Sequence, residues 1–308
     1  MQDDSGKKYS VTVFMSTYNG EKYLQEQIDS ILRQKEVQVF LMVRDDGSND
    51  GTLELLENIS QNCTNIQVLT GTNIGYGQSF LTTIYEMQYQ KTDYYALSDQ
   101  DDVWDDNKII SAINLIKELK KPALCYCAQR IVDENGNFIR EEQSLKKVMN
   151  YSIYSASKVN LMRGCTEVWN NSFHDTILFS KPDIKEVQSH DHFINMMAFI
   201  NAKIIYDSTP RMEYRQTGDN LYGAHRTGLL KIKYYLNKCK VMAINQKNCK
   251  SKIAAEIEKG NPEIELATAH YANSFKEKIA VVFDASYNKG ISIKWRLFTA
   301  FLTFTNRL

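Results

Sequence analysis

Val37-Gln-Val-Phe-Leu-Met-Val43 runs directly into Arg44-Asp-Asp-Gly-Ser-Asn-Asp-Gly51, so an apolar stretch stops at a loop carrying Asp45, Asp46 and Asp50. Apolar residues at nearly every position over that length read as a strand buried on both faces. Leu53, Leu56 and Ile59 then recur at helical spacing behind an Asn49/Asp50 cap. Upstream, Val11–Met15 is a second such strand, and Leu24, Ile28, Ile31 and Leu32 mark a helix over Glu21–Lys35. Downstream, Ile66–Leu69 reads as a strand, Phe80–Gln90 as a helix and Tyr94–Leu97 as a fourth strand. The order βαβαβαβ predicts an α/β fold, a mostly parallel central sheet flanked by helices. Three polar loops, Ser16–Gly20, Asp45–Gly51 and Ser98–Asp102, follow strand ends. In open α/β sheets such loops converge on one ligand crevice.

Beyond this half, Asp105 and Asp106 are placed to cap a helix over Lys108–Lys120. Ala123–Val132 reads as a strand closed by the turn Asp133-Glu-Asn-Gly136. A poorly periodic stretch reaches about Met162, and a helix near Asp191–Phe199 precedes a strand at Lys203–Tyr206. From about Tyr222 the chain turns basic and helical. Its 308 residues, 43% of them hydrophobic, suffice for one large domain or a domain with an appendage.

Lysine plus arginine and aspartate plus glutamate both number 37, which removes the basic signature of a nucleic-acid binder. The neutrality conceals an asymmetry. Acidic residues crowd Leu41–Asn107, whereas Asn220–Ala255 carries Arg226, Lys231, Lys233, Lys238, Lys240, Lys247, Lys250 and Lys252 without an acidic residue. An acidic front suits a cation; a basic rear suits phosphate or anionic lipid. The six cysteines lack zinc-type pairing, and Cys125 and Cys127 share one face of a strand, the pattern of free thiols in a reducing cytosol. Met1-Gln-Asp-Asp-Ser5 has acidic residues where a secretory signal needs basic ones, and no apolar run reaches the length of a spanning helix.

The familiar phosphate-binding devices are absent from the strand–helix turns: there is no GxxxxGK[ST], Ser16–Gly20 lacks GxGxxG, and Gly75-Tyr-Gly77 lacks the third glycine. Asp99-Gln-Asp-Asp102 stands in their place. Carboxylates repel phosphate unless a divalent cation lies between them, and Mg²⁺ or Mn²⁺ held by one or two carboxylates binds a diphosphate as well. A strand-end Asp-x-Asp therefore points to a metal-diphosphate site, the alternative being a turn or helix cap.

In order along the chain, Phe14-Met-Ser-Thr-Tyr-Asn-Gly20, Arg44–Thr52, Gly71-Thr-Asn-Ile-Gly75, Ser98-Asp-Gln-Asp-Asp-Val-Trp104, Ser189-His-Asp191 and Tyr214-Arg-Gln-x-x-x-Asn-Leu-x-Gly-Ala224 resemble glycosyltransferase family 2, the inverting GT-A enzymes. The last two blocks, with Ser98–Trp104, resemble its bacterial rhamnosyltransferase branch, which builds cell-wall and capsular polysaccharide. The likeness is strong to about residue 225. It implies a GT-A catalytic domain over 1–225, with a nucleotide-sugar half at 1–121 and an acceptor half at 122–225, followed by a helical C-terminal region at 226–308.

By resemblance, Ser16, Thr17 and Tyr18 line the base pocket and Asp46 accepts the pyrimidine N3–H. Asp99 contacts the ribose or diphosphate, Asp101 and Asp102 hold Mn²⁺ or Mg²⁺, and Arg215 assists the diphosphate. Asp191 is the catalytic base, its alternative an N-cap of the helix that follows. His190 and His192 make a poor metal pair, since two residues on a helix diverge by about 200°. Gly164-Cys-Thr-Glu-Val-Trp169 follows the family's small-residue turn only loosely, and it bears on acceptor choice.

The branch implies dTDP-rhamnose as donor and a lipid-linked polysaccharide precursor as acceptor, placing the enzyme in the cytoplasm at the inner face of the cell membrane. Arg226–Lys252 and Ile291–Thr305, each mixing cations with apolar residues, fit helices in a membrane interface or helices packed on the catalytic domain. Transfer from a UDP-sugar by the same machinery is a second reading, because uracil and thymine share the N3–H. A non-catalytic nucleotide-sugar or glycan-binding protein is a third.

Overall fold

A computed structural model describes residues 9–142, 162–187 and 189–217, together with Ile279. One nine-stranded sheet organises them. Strands β1 (Tyr9–Thr17), β2 (Val37–Asp45), β3 (Ile66–Thr70) and β4 (Tyr94–Ser98) are parallel in the order β3-β2-β1-β4. Val11 lies opposite both Val39 and Tyr94, which sets the register of the three central strands. The sheet continues through β8 (Glu167–Asn170), β6 (Ala123–Asp133), β9 (Lys203–Gln216) and β5 (Val103–Trp104), and β7 (Phe138–Glu142) pairs with β6. β8 runs antiparallel to both β4 and β6, whereas β6 and β9 are parallel.

Helices cover both faces, which is why the inner strands lack polar alternation. On one face α1 (Glu21–Leu32) buries Leu24, Ile28 and Ile31, α2 (Thr52–Asn62) buries Leu56, and α4 (Lys108–Ile116), over β6, β8 and β9, buries Ile109, Ile113 and Ile116, all in one core with Val11, Val13, Leu41 and Val43. On the other, α3 (Tyr76–Glu86), α5 (Asn171–Ser180) and α6 (His190–Asn201) pack Phe80, Phe173 and Phe193 against Phe14, Tyr95 and Trp169.

The expected βαβαβαβ order is present. Several details differ. α2 begins one residue later than an Asn49/Asp50 cap implies, with Gly51 as N-cap, although the Asp50 carboxylate still accepts the Thr52 N–H at 3.1 Å. α3 starts a turn earlier than Phe80 and stops at Glu86. Asp105 and Asp106 do not cap α4; Asn107 takes that position, because Asp105 pairs with Arg130 and Asp106 with Arg33 and Lys35. β9 extends to Gln216, since residues 210–216 keep pairing with β6. Apart from Ile279, the region expected to be helical beyond residue 225 lies outside the described residues.

Asn170 joins the two halves of the sheet. Its Oδ1 accepts the Ala123 and Phe173 N–H groups, both at 3.0 Å, and its Nδ2 donates to the Lys121 carbonyl at 2.9 Å. One side chain thus caps α5 and ties down the start of β6. Asn170→Ala is expected to cost about 2 kcal/mol, with Asn170→Asp recovering part through the retained acceptors. Urea midpoints at unchanged slope measure this, and an Ala variant within about 0.5 kcal/mol of wild type, the range of neutral surface changes, contradicts it.

Candidate active site

The site lies where β1, β2, β3 and β4 end together. Each strand delivers a polar loop to the same edge, and the loops are cross-linked. Tyr18 N–H donates to Gln100 Oε1 at 2.8 Å while Gln100 Nε2 donates to the Tyr18 carbonyl at 3.1 Å. Asn19 N–H donates to Ser48 Oγ, and Asn49 N–H returns a bond to Asn19 Oδ1. The β3 loop closes against the β2 loop at Gly47, whose φ of +81° and close approach to Asn73 N and Gly71 O, 3.1 Å from where a Cβ would stand, require glycine.

The residues expected to line a base pocket sit in this seam. Ser16 Oγ donates to Ser79 Oγ at 2.6 Å, Thr17 is fully buried with its Oγ1 on Asp45 Oδ2, and Tyr18 is 44% exposed, leaving its ring open to a ligand. Asp46 is buried, paired with Arg44, and accepts the Ile74 and Gly75 N–H groups, each at 2.9 Å.

Asp99, Asp101 and Asp102 crowd the end of β4. Burial, reinforced by the charges of Asp101 and Asp191, raises the Asp99 carboxyl to about 7; burial raises Asp101 to about 6. Asp102 is driven well above the usual carboxylate range by burial and by its two acidic neighbours. Its Oδ1 accepts the Arg215 N–H at 3.2 Å, whereas Oδ2 has no hydrogen-bond partner among the described residues. One carboxylate oxygen each from Asp99 and Asp102 and the Cys165 Sγ lie within 4.8 Å of one another. Burial keeps the Cys165 thiol far above its ordinary value, which disfavours the thiolate form a soft-metal site needs. Hard oxygen donors, an orphaned buried oxygen and mutual repulsion together fit a Mg²⁺- or Mn²⁺-type cation.

Arg215 is buried beneath this loop. Its Nε donates to the Asp101 carbonyl at 3.0 Å, Nη1 to the Glu134 carbonyl and Nη2 to Glu26 Oε2 at 2.7 Å, and its guanidinium stacks 4.7 Å from the Tyr23 ring. These bonds make it a clamp on the acidic loop. Asp191 stands in the first turn of α6, where Ser189, not Asp191, is the N-cap. Ser189 Oγ and the His192 N–H, the latter at 2.8 Å, both donate to Asp191 Oδ1 and orient the carboxylate. Gly164 lets α6 approach: a Cβ there would lie 3.4 Å from Asp191 Cβ and 2.9 Å from Leu97 Cδ1. Asp191 thus borders the turn whose next residue, Cys165, touches the acidic cluster. His190 stacks on Phe80 at 3.8 Å and burial depresses its pKa to about 4, so it is a neutral core residue.

The individual motifs did not expose some of the site's supports. Glu26 anchors Arg215 from the neighbouring helix, with no sequence signal beyond its charge. Lys108 is buried with its Nζ 3.3 Å from the Trp104 ring centroid, and Glu167 is fully buried, its carboxyl raised by burial and by Asp191.

The family model for "Glycosyl transferase family 2" matches residues 12–199. The chain is 31% identical over 240 residues to the dTDP-rhamnosyl transferase RfbG of Shigella flexneri, covering 72% of this chain and 80% of the relative. Among solved structures it is similar to S. aureus TarS 1-349 in complex with UDP-GlcNAc, with TM-score 0.57, 16% identity, and 97% of this chain and 89% of that one covered. It is also similar to the mannosyltransferase PcManGT of Pyrobaculum calidifontis in complex with GDP-Man and Mn²⁺, with TM-score 0.55, 14% identity and coverages of 97% and 87%. At these identities the two structures share the fold.

Carboxyls whose folded pKa values lie above the unfolded ones stabilise the fold at low pH and lose that contribution as pH rises. With Asp99 near 7 and Asp101 near 6, metal-free protein is expected to lose stability between about pH 4 and 7. Mn²⁺ should restore more at pH 7.5 than at pH 5, and Asp102→Asn should raise the metal-free Tm while shrinking the Mn²⁺ increment. Differential scanning fluorimetry across pH reads all three, and a Mn²⁺ effect unaltered by Asp102→Asn contradicts the cation site.

Proposed function

Because the chain belongs to glycosyl transferase family 2, we propose that it is an inverting rhamnosyltransferase that takes rhamnose from dTDP-rhamnose. Asp99 and Asp102, clustered with Cys165, and Asp191, which meets them across the Gly164–Cys165 turn, carry this reading. The identity to a dTDP-rhamnosyl transferase supports the donor.

In the mechanism, Tyr18 and the Ser16/Thr17 segment receive the base, and Asp46 accepts its imino hydrogen. Asp99, Asp101 and Asp102 would hold a divalent cation, which when bound supplies positive charge opposite the departing diphosphate. Arg215, from below, keeps those aspartates on the rim. Asp191 takes the proton of the acceptor hydroxyl as its oxygen bonds to the anomeric carbon, and the bond from that carbon to the diphosphate breaks on the opposite face. Residues 1–121 form the donor half and 122–225 the acceptor half.

Asp191→Asn is expected to keep donor binding and lose about 10²–10⁴-fold in turnover, the usual share of a positioned base. Thermal shifts with Mn²⁺ and dTDP-rhamnose or UDP-sugars, run beside transfer assays with EDTA controls, test donor and base together. Near-normal turnover removes the base; a larger shift with UDP-sugars removes the rhamnose donor.

We further propose a lipid-linked acceptor met at the inner membrane face, supported by the cations and apolar residues of Arg226–Lys252. The full chain should then sediment with anionic vesicles at low salt and be released as salt rises. Failure to sediment at low salt refutes membrane binding.

A further inference from the structure

Arg44 is a buried cation in the floor of the base pocket, and the mechanism above gives it no part. Its Nη1 pairs with Asp46 Oδ1 and donates to Ser79 Oγ at 3.0 Å, and its Nη2 donates to the Thr72 carbonyl at 3.1 Å. Ser79 Oγ also accepts from Ser16, so the network reaches the end of β1. Arg44 and Asp46 are 4% and 2% exposed, so neither has water to fall back on.

The acceptor capacity of Asp46 can be counted. An ionised carboxylate has roughly four lone-pair sites, two on each oxygen, and donates nothing. Oδ1 accepts from Arg44 and from the Ile74 N–H, which fills it; Oδ2 accepts from the Gly75 N–H. Among the described residues one acceptor position is left, on Oδ2.

We propose that Arg44 is a specificity-determining positioning residue: by saturating Oδ1 and fixing the carboxylate, it reduces Asp46 to a single acceptor that admits a base with one imino donor. Uracil and thymine each offer one such N–H. Cytosine presents an acceptor at the same position, and guanine presents adjacent imino and amino donors, of which one would stay unpaired. A buried group left without its partner discriminates strongly between otherwise similar ligands. The inference rests on the reading of Asp46 as the base-contacting residue.

The structure supplies a second way to disturb Arg44. A Cβ on Gly71 would stand 2.6 Å from Arg44 Nη2, and Gly71 does not occupy the left-handed region, so Gly71→Ala displaces the guanidinium without backbone strain. Calorimetric titration of the full chain with dTDP, UDP, CDP and GDP, all with Mn²⁺, gives the ratio of affinities as the readout. General damage to the pocket weakens every nucleotide alike; loss of positioning changes the ratio.

Wild type is expected to favour dTDP and UDP over CDP and GDP. Arg44→Lys and Gly71→Ala should each reduce that preference by about tenfold, the scale of one buried charge-assisted hydrogen bond, and Asp46→Asn should shift it toward CDP. Circular dichroism establishes that each variant is folded, and if Arg44→Lys is not, Gly71→Ala decides. An unchanged ratio in folded Gly71→Ala, with Asp46→Asn still losing it, overturns the role of Arg44 and leaves the base contact standing. An unchanged ratio in Asp46→Asn overturns the base contact itself, and with it the inference.

Discussion

Like charge crowded at the end of one strand, partly or wholly shielded from water, is the constraint on which the site depends. Asp99, Asp101 and Asp102 stand at the end of a fully buried strand, and each would be more stable dispersed into solvent. They stay together because the backbone around them is over-determined. Arg215 binds the loop through its N–H on Asp102 and its Nε on the Asp101 carbonyl, and its remaining guanidinium nitrogens are anchored on Glu134 and Glu26; Gln100 locks the loop to the one after β1, and Ser98 is fixed by Gln27 from α1. The repulsion that remains is what a bound cation would relieve.

The same economy governs the neighbouring loops. Backbone N–H groups that a strand end leaves without a ladder partner must find acceptors, and here they find carboxylates and hydroxyls from the next loop: Gly20 on Thr52, Glu21 on Asp50, Gly51 on Glu21, Ile74 and Gly75 on Asp46. A residue such as Asp46 therefore both completes the fold and shapes the pocket. This GT-A frame sets the positions of the loop side chains by closing its own hydrogen bonds.

The sequence made the first half of the sheet legible because its central strands are mostly apolar runs that stop at a polar loop, as at Met15, Val43 and Leu97. β8 was not legible: Glu167-Val-Trp-Asn170 is four residues long and places a glutamate inside the core, against every composition rule for a buried strand. Asp105 and Asp106 misled as caps because nothing local reveals that Arg130, Arg33 and Lys35 compete for them. Among site residues, Asp99, Asp101 and Asp102 declared themselves by type and spacing, whereas Asp46 and Asp191 were singled out by the family resemblance. Arg215 was read as facing a diphosphate, yet its partners Glu26 and Glu134 come from elements far away in sequence, so its inward orientation is a property of the tertiary fold.

β8 also fixes how the two portions of the sheet, proposed above to serve donor and acceptor, are joined. It lies between β4 and β6, opposed to both, with Tyr95 and Leu124 flanking Trp169. The seam is therefore a ladder shared by three strands, quite unlike a tether between two lobes. A chimaera that imports another enzyme's acceptor portion after Pro122 must bring a compatible β8 with it. Otherwise it strips the inner edge of β4, unseats Gly164 and with it the approach of Asp191, so new acceptor preferences are better sought by grafting side chains than by exchanging lobes.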